Sequence, residues 1–428
     1  MKTHPRRVVH LIWFSLLGLL LVPARGAKAE VQIAESNGWT VYIDGRINAF
    51  LSHSQGDSKP NPGLTGGNTT VVGGGVETDL DNTGNGKFSI TRVKSGFLGN
   101  ILGTGVRKQL TPDTQLQAYF AVWSTIENNR QRFFPVTPDV REGWLKLSGS
   151  WGAFQAGRAL GFYSRGLVEV DFQYAHGNGV GFPCTGQDGT LEANGPACGQ
   201  IGFGVIFPFY AAGFSYSTPT VSGFTLNVGV YDPATVAGHW DRTPLPRTEG
   251  ELTYDRSFGN LGKLHAFADG IWQQLGEHDT TRTTSVYGGA VGGRLEFGPL
   301  RLGGGYYRGK GIGFAYAIEN SPALYNSMTG NMRNFDGFYG QAMVVVLSRV
   351  DISAGVGQGR LHLINDDTNP VFATTSFPST NTGINAGVFF HANQYIVVGF
   401  DYFQARYKWT LGDHQVIHTG NAGVTFVW

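Results

Sequence analysis

An all-β fold, a transmembrane antiparallel β-barrel of about sixteen strands, is what three features of this chain predict. The N-terminus carries an export signal, the segments behind it alternate apolar with polar residues, and the last alternation runs to the final residue, Trp428. In the closing AGVTFVW, Val424, Phe426 and Trp428 share one face while Gly423, Thr425 and Val427 share the other. That is the two-residue period of a strand with one side suited to lipid. Termini fray unless something holds them, and a closed barrel would hold this one.

The export signal comes first. MKTHPRR is basic, Val8 to Val22 is apolar, and Ala27-Lys28-Ala29 offers a small-residue cleavage site before Glu30. Residues 1–29 are therefore expected to be removed, leaving 30–428 as a single domain. A membrane anchor is the alternative, since the apolar core approaches spanning length, but His10 interrupts it. No later run is long enough for a membrane helix, and the most apolar, YIVVGF and MVVVL, are strand-sized.

Five of the 32 basic residues leave with the signal, so 27 face 31 acidic ones and the mature net charge is about −4. No basic tract remains for nucleic acid. Charged residues are 15% of the chain, against roughly 25% in soluble domains. This is the balance expected when an outer surface meets hydrocarbon and polar groups line a lumen. Glycine accounts for 64 of 428 residues without a G-x-y period and sits inside alternating segments such as YGGAVGGRLEFG, which argues for bent, closely packed strands.

The strands are expected at 39–51, 95–109, 115–127, 141–149, 153–162, 204–218, 224–231, 247–258, 264–275, 283–298, 301–312, 335–348, 350–362, 383–393, 395–409 and 418–428. In the first, Val41, Ile43, Gly45, Ile47 and Ala49 oppose Tyr42, Asp44, Arg46 and Asn48. QLQAYFAV places Leu116, Ala118, Phe120 and Val122 together, and EGWLKLS sets Gly143, Leu145 and Leu147 against Glu142, Lys146 and Ser148. TEGELTYD sets Glu249, Glu251, Thr253 and Asp255 against Leu252 and Tyr254. Each reads as a strand with one apolar and one wet face. Alternation is weak before Arg107 and around Met343 to Val346, and Gln404, Arg406 and Lys408 fall on what begins as an apolar face.

Short links at 111–114, 150–152, 219–223, 260–263 and 299–300 alternate with long stretches at 51–87, 127–140, 164–203, 232–248, 313–335 and 362–382, rich in Gly, Asn, Asp and Pro. Short periplasmic turns on one rim and long external loops on the other are the pattern of outer-membrane barrels. Aromatic residues near segment ends, including Trp39, Trp123, Trp144, Trp151, Tyr402, Tyr407, Trp409 and Trp428, fit an interfacial girdle. Ordinary enrichment of aromatics in strands is the other reading of any one of them.

With these elements in place the chain resembles the Gram-negative general porin family. VREGWLKLSGSWGAFQAGRALGFYS is similar to the family's fourth strand, short turn and fifth strand, whose G-x-G-R-like ending leads into the loop that folds back into the pore. AAGFSYSTPTVSGFTLNVGVYD resembles a later hairpin, VYIDGRINAF the first strand, and AGVTFVW the closing strand. The stretch KFSITRVKSGFLGNILGTGVRKQLTPDT is longer than the family's compact second strand and leaves the facing of Arg92, Lys94 and Arg107 open.

The resemblance implies sixteen strands, a homotrimer in the lipid of a Gram-negative outer membrane, and a water-filled channel for passive diffusion of ions and small hydrophilic solutes. It further implies that the third external loop, 164–203, folds into the lumen as a constriction. There the acidic candidates are Glu169, Asp171, Asp188 and Glu192. On the wall, Arg158 occupies the place of a family arginine and Arg46 faces inward by its own alternation, with Arg107 and Lys146 as further basic candidates. Opposed charges across a narrow gap would set up a transverse field that sorts permeants by charge and dipole. Ion pairs serving only barrel stability are the plainer reading of Arg158 and Arg46.

Cys184 and Cys198 are the only cysteines and both lie in this segment. Export to an oxidising compartment favours a disulfide over a metal site or a nucleophile. Such a bridge is worth roughly 3 kcal/mol by chain entropy and would stiffen a glycine-rich loop.

The chain contains no H-E-x-x-H, G-x-S-x-G, C-x-x-C or phosphate-binding glycine loop, so no enzyme, cofactor or metal is expected. A channel selective for anions or sugars is the closest alternative; a ladder of basic residues would mark the first and an aromatic track the second. A barrel enzyme or adhesin, or a soluble exported β-protein, are readings of other classes. The first would need a compact His/Ser/Asp group at a rim, and the last would extract into buffer without detergent.

Overall fold

The computed structural model describes residues 30–57, 86–126, 139–174, 178–183, 197–236, 239–318, 322–368, 377–410 and 412–428. The signal segment, 1–29, lies outside the described residues. In chain order the strands are β1 Val31–Ser36, β2 Trp39–Asp57, β3 Lys87–Lys94, β4 Asn100–Gln109, β5 Gln115–Ser124, β6 Asp139–Gly149 and β7 Gly152–Leu160. A short helix, α1 Arg165–Glu169, and two small strands, β8 Phe182–Pro183 and β9 Ala197–Gly199, follow. Then come β10 Tyr210–Ser217, β11 Phe224–Tyr231, β12 Arg247–Ser257, β13 Lys263–Gly276, β14 Thr283–Phe297, β15 Leu300–Lys310, β16 Asn334–Val346, β17 Val350–His362, β18 Pro378–His391, β19 Ile396–Trp409 and β20 His414–Val427.

Antiparallel neighbours carry the sheet around until β20 pairs with β2, from Arg46↔Val427 to Gly56↔Ile417. The barrel is closed. β3 and β4 lie end to end along one edge of β2, so together they form one of the sixteen staves. β1 is additional, folded back onto the start of β2 through Asn37 and Gly38, while β8 and β9 pair only with each other. Trp428 completes the seam. Its N–H donates to the Gly45 carbonyl and its carbonyl accepts from the Gly45 N–H, both at 3.1 Å.

The second stave corrects the expected strand at 95–109. It is broken between Lys94 and Asn100, and the side chain of Asn48 satisfies the gap. Asn48 Oδ1 accepts from Gly96 N–H at 2.6 Å, and Nδ2 donates to the carbonyls of Leu98 and Gly99 at 2.8 and 3.2 Å. The break sends Phe97 inward, where its N–H donates to the Gly179 carbonyl at 3.0 Å. This detour is why the stretch before Arg107 lacks clean alternation.

Elsewhere the two-residue period decides the faces. Along β12, Glu249, Glu251 and Thr253 are buried while Leu252 is exposed; across the outer surface Phe214, Leu102, Val291, Phe400 and Val424 stay open in the same way. An apolar band of this kind is stable only against lipid. In β19 the period continues through Gln404, Arg406 and Lys408, but the polarity of its two faces exchanges. Phe403, Ala405, Tyr407 and Trp409 turn inward and are buried against Phe182 and Phe203. Of the expected aromatic girdle, Trp39, Trp151 and Tyr402 are exposed, whereas Trp123, Tyr407 and Trp409 are buried.

The links sort by rim as expected. Those at 110–114, 150–151, 218–223, 258–262, 298–299, 347–349 and 392–395 share one rim. On the other, most are long, although 277–282 and 410–413 are short. Among the described residues no helix is long and apolar enough to cross a membrane.

The seam yields a direct test. A Cβ on Gly45 would lie 2.5 Å from both the Ile101 carbonyl oxygen and the Trp428 ring. Gly45→Ala should therefore destabilise the barrel by about 1–3 kcal/mol, measured as a lowered urea midpoint in lipid vesicles.

Candidate functional site

In the connection after β7, described residues of 161–174, 178–183 and 197–209 make hydrogen bonds and apolar contacts with inward-facing side chains of strands far around the barrel. Its entry is set by Glu249 on β12, whose Oε2 accepts from the N–H groups of Phe162 and Tyr163 at 2.7 and 3.0 Å. Ser164, in a left-handed conformation at φ 63°, turns the chain into α1. Arg165 then reaches Glu251, which also accepts from Asn227 at 2.9 Å. Leu167 and Val170 pack into an apolar cluster with Phe267, Tyr307 and Tyr339.

Beyond α1 the backbone is passed from stave to stave. Phe172 N–H donates to Gln341 Oε1 on β16 at 2.7 Å, and Ser353 on β17 donates to Gln173 Oε1 at 2.8 Å. Asp401 on β19 takes the N–H groups of Val180 and Gly181, both at 2.9 Å, and the Asn421 amide of β20 at 2.8 Å. Asn385 and Asn381 on β18 donate to Gln200 Oε1 and to the Gly202 carbonyl at 2.6 and 3.2 Å. Backbone groups along this irregular path are thus partly satisfied by side chains projecting inward from strands.

The predicted residues divide. Arg46 faces inward and donates from Nη2 to Asn178 at 3.1 Å, so it does meet the segment. Arg107 also faces inward but pairs with Glu30 at 2.7 Å. Lys146 shares its row with Gln117 and Gln155. Glu169 lies at the end of α1, 3.7 Å from Arg165 and 3.6 Å from His265. Asp171 is only 3% exposed and is engaged by the N–H groups of Gln173 and Tyr174 at 3.0 and 3.1 Å, which makes it an anchor of the turn. Cys198 is buried. Asp188, Glu192 and Cys184 lie outside the described residues.

Arg158 requires a correction. Register places it opposite Gly143 and Ala212, on the face of Leu145 and Phe214, and it is exposed. It points away from the lumen. The alternation of Phe154, Ala156 and Leu160 with it in AFQAGRAL carried that information, which the family likeness overrode. The wall acids Glu249, Glu251 and Asp401, which do most of the holding, sit on wet strand faces with nothing local to separate them from ordinary lumen residues.

The inner wall is uneven. From β13 to β20 inward residues such as Phe267, Gln341, Asn385 and Thr419 are buried. On β2, β5 and β6, Asp44, Arg46, Gln117, Tyr119, Glu142, Trp144 and Lys146 remain half-buried. Open space inside the barrel therefore borders the β2–β7 side.

Residues 19–369 match the family described as Gram-negative porin. No curated protein matches the chain by sequence. The solved outer membrane channel DcaP of Acinetobacter baumannii is similar at TM-score 0.66 and 11% identity, over 93% of this chain and 99% of that one. The anion-selective porin from Comamonas acidovorans is similar at TM-score 0.58 and 14% identity, over 91% and 100%. A trimer form of OmpT, an outer membrane protein of Vibrio cholerae, is similar at 0.51 and 15%, over 92% and 100%. At these identities the likeness concerns the fold.

Burial pushes the Asp171 carboxyl from an ordinary value of 3.8 up to about 7, against the lowering effect of the N–H groups of Tyr174 and Gln173. Protonation is thus tighter in the packed segment than in the loosened one. The stabilising contribution is full below the ordinary value and is lost as pH rises through about 7. Amide exchange across 171–174, corrected for intrinsic rate, should be slower near about pH 5 than near about pH 8. Asp171→Asn should sharply reduce that difference.

Proposed function

We infer the function from family and wall together: the chain belongs to the Gram-negative porin family and forms an outer-membrane channel through which small solutes diffuse passively. We propose further that residues 164–203 cross the lumen as its constriction, that three copies assemble as a homotrimer in outer-membrane lipid, and that the protein has no catalytic role. The observation that carries the constriction is the set of hydrogen bonds tying described residues of this segment to inward side chains of β12, β16, β17, β18 and β19, while the β2–β7 wall stays half open. The trimer is supported by the family likeness and by the trimer form of the similar OmpT.

In this reading Arg46, Arg107 and Lys146 supply the basic side of the pore and Glu169, Asp188 and Glu192 the acidic side. Asp171 sets the fold of the loop. Cys184 and Cys198 close a disulfide within the constriction, a pairing favoured by the buried position of Cys198 against Ile201 and Ala315. Removal of residues 1–29 on export precedes all of this.

The test is reconstitution of the mature protein in a planar bilayer. Openings in steps of three under a salt gradient are expected, with the zero-current potential reporting the sign of the pore field. Folded protein that passes no current would overturn the diffusion reading.

A further inference from the structure

The half-open wall is ordered in a way that simple diffusion does not use. Tyr42 on β2, Tyr119 on β5 and Trp144 on β6 fall in one cross-strand row, with Gly105 of β4 between the first two. A Cβ on Gly105 would sit 2.2 Å from the Tyr42 ring, so that ring lies down along the wall. The Tyr42 and Tyr119 rings are 6.4 Å apart and inclined by 17°, and those of Tyr119 and Trp144 are 5.4 Å apart and inclined by 33°. Of these three rings Tyr119 and Trp144 are half-buried, whereas Tyr42 is 2% exposed, with the Arg107 guanidinium 5.1 Å from its centroid, and backs the other two. Because barrel strands tilt, a cross-strand row climbs the wall obliquely.

The two edges of this row differ in hydrogen-bonding character, although on the second Arg107 is paired with the Glu30 carboxylate. One pleat repeat away on the first side, roughly 7 Å along the strands, stand the acceptors Asp44 and Glu142. Asp44 Oδ1 accepts from the Tyr119 hydroxyl at 2.7 Å and Glu142 Oε2 from Trp144 Nε1 at 3.1 Å. Neither carboxylate has an ion-pair partner among the described residues. One repeat away on the other side, Arg107, Gln117 and Lys146 share a row of donors, and Gln117 Nε2 donates to the Tyr42 hydroxyl at 2.6 Å.

This pattern selects by chemistry. An anion lying on the rings meets Asp44 and Glu142, and a cation meets Lys146. A neutral ring with apolar C–H faces and a rim of hydroxyls suits both edges, since hydroxyls both donate and accept and the faces rest on the aromatic rings. We propose that the Tyr119 and Trp144 rings, backed by Tyr42, form a binding track for the pyranose rings of short neutral oligosaccharides. The assignment rests on the reading of the β2–β7 side as the permeation path.

The test uses maltotriose as the probe, in single-channel recordings and in calorimetric titration of the folded trimer. Saturable current interruptions are expected, with a polyethylene glycol of equal hydrodynamic size as the steric control. Trp144→Ala should raise the half-blocking concentration about tenfold and Trp144→Phe by less than about threefold, as expected for a lost ring contact, the polyethylene glycol response being the same in all three proteins. Open channels that treat maltotriose and polyethylene glycol alike, or a block unchanged in Trp144→Ala, would overturn the track and leave the channel standing. Closed protein that binds maltotriose through Trp144 would instead sink the diffusion reading and keep the track, and closed protein that binds none would sink both.

Discussion

Everything in this molecule follows from the requirement that a backbone crossing lipid satisfy its own hydrogen bonds. A sheet meets it only by having no edge, so the join between first and last staves is the constraint on which the rest depends. β2, 19 residues long, is the strand that bears it. Along one edge it receives β20, the Trp428 backbone and β1; along the other it receives β4 and β3. Where its partner breaks, the Asn48 amide supplies the missing hydrogen bonds. The ladder is thereby continued by a side chain where the chain leaves the wall between Lys94 and Asn100.

Closure creates a second problem, because a barrel of this circumference cannot be filled by its own side chains. Described parts of the segment after β7 and the wall acids pair reciprocally. Irregular backbone away from water carries N–H groups that need acceptors, and inward carboxylates covered by that backbone need donors. Glu249 with Phe162 and Tyr163, and Asp401 with Val180 and Gly181, settle both needs at once. Apolar contacts follow the same division, so that Leu167 and Val170 find Phe267 and Tyr339 on one side while Phe182 finds Phe403 and Tyr407 on another. The β2–β7 side, which receives less of this packing, leaves Tyr119, Trp144 and their polar neighbours half-buried.

How much of this could be read from residues alone differs by element. The staves were legible because a membrane strand must alternate, and β12 and β14 do so over their full length. The rims were legible because tight hairpins and long loops differ in length and composition. The break at 95–99 was not, since its logic lies in Asn48, some fifty positions earlier. Gln404, Arg406 and Lys408 looked like a lapse in phase, yet the phase is continuous and it is the surroundings of β19 that change, with Phe182 and Phe203 covering its inner face.

By itself the sequence determined the fold class, the face on which nearly every strand residue lies and the existence of a long third loop, because these depend on a local two-residue period and on chain composition. Tertiary structure alone decided which inward residues hold that loop, which remain open, and that Tyr42, Tyr119 and Trp144 stand side by side between a row of acids and a row of donors. Such neighbours are brought together by register between strands, and register is a property of pairs of segments that no single segment encodes. Arg158 shows the difference from the other direction: its own alternation already faced it outward, and the pairing with Gly143 and Ala212 put that beyond the reach of family likeness.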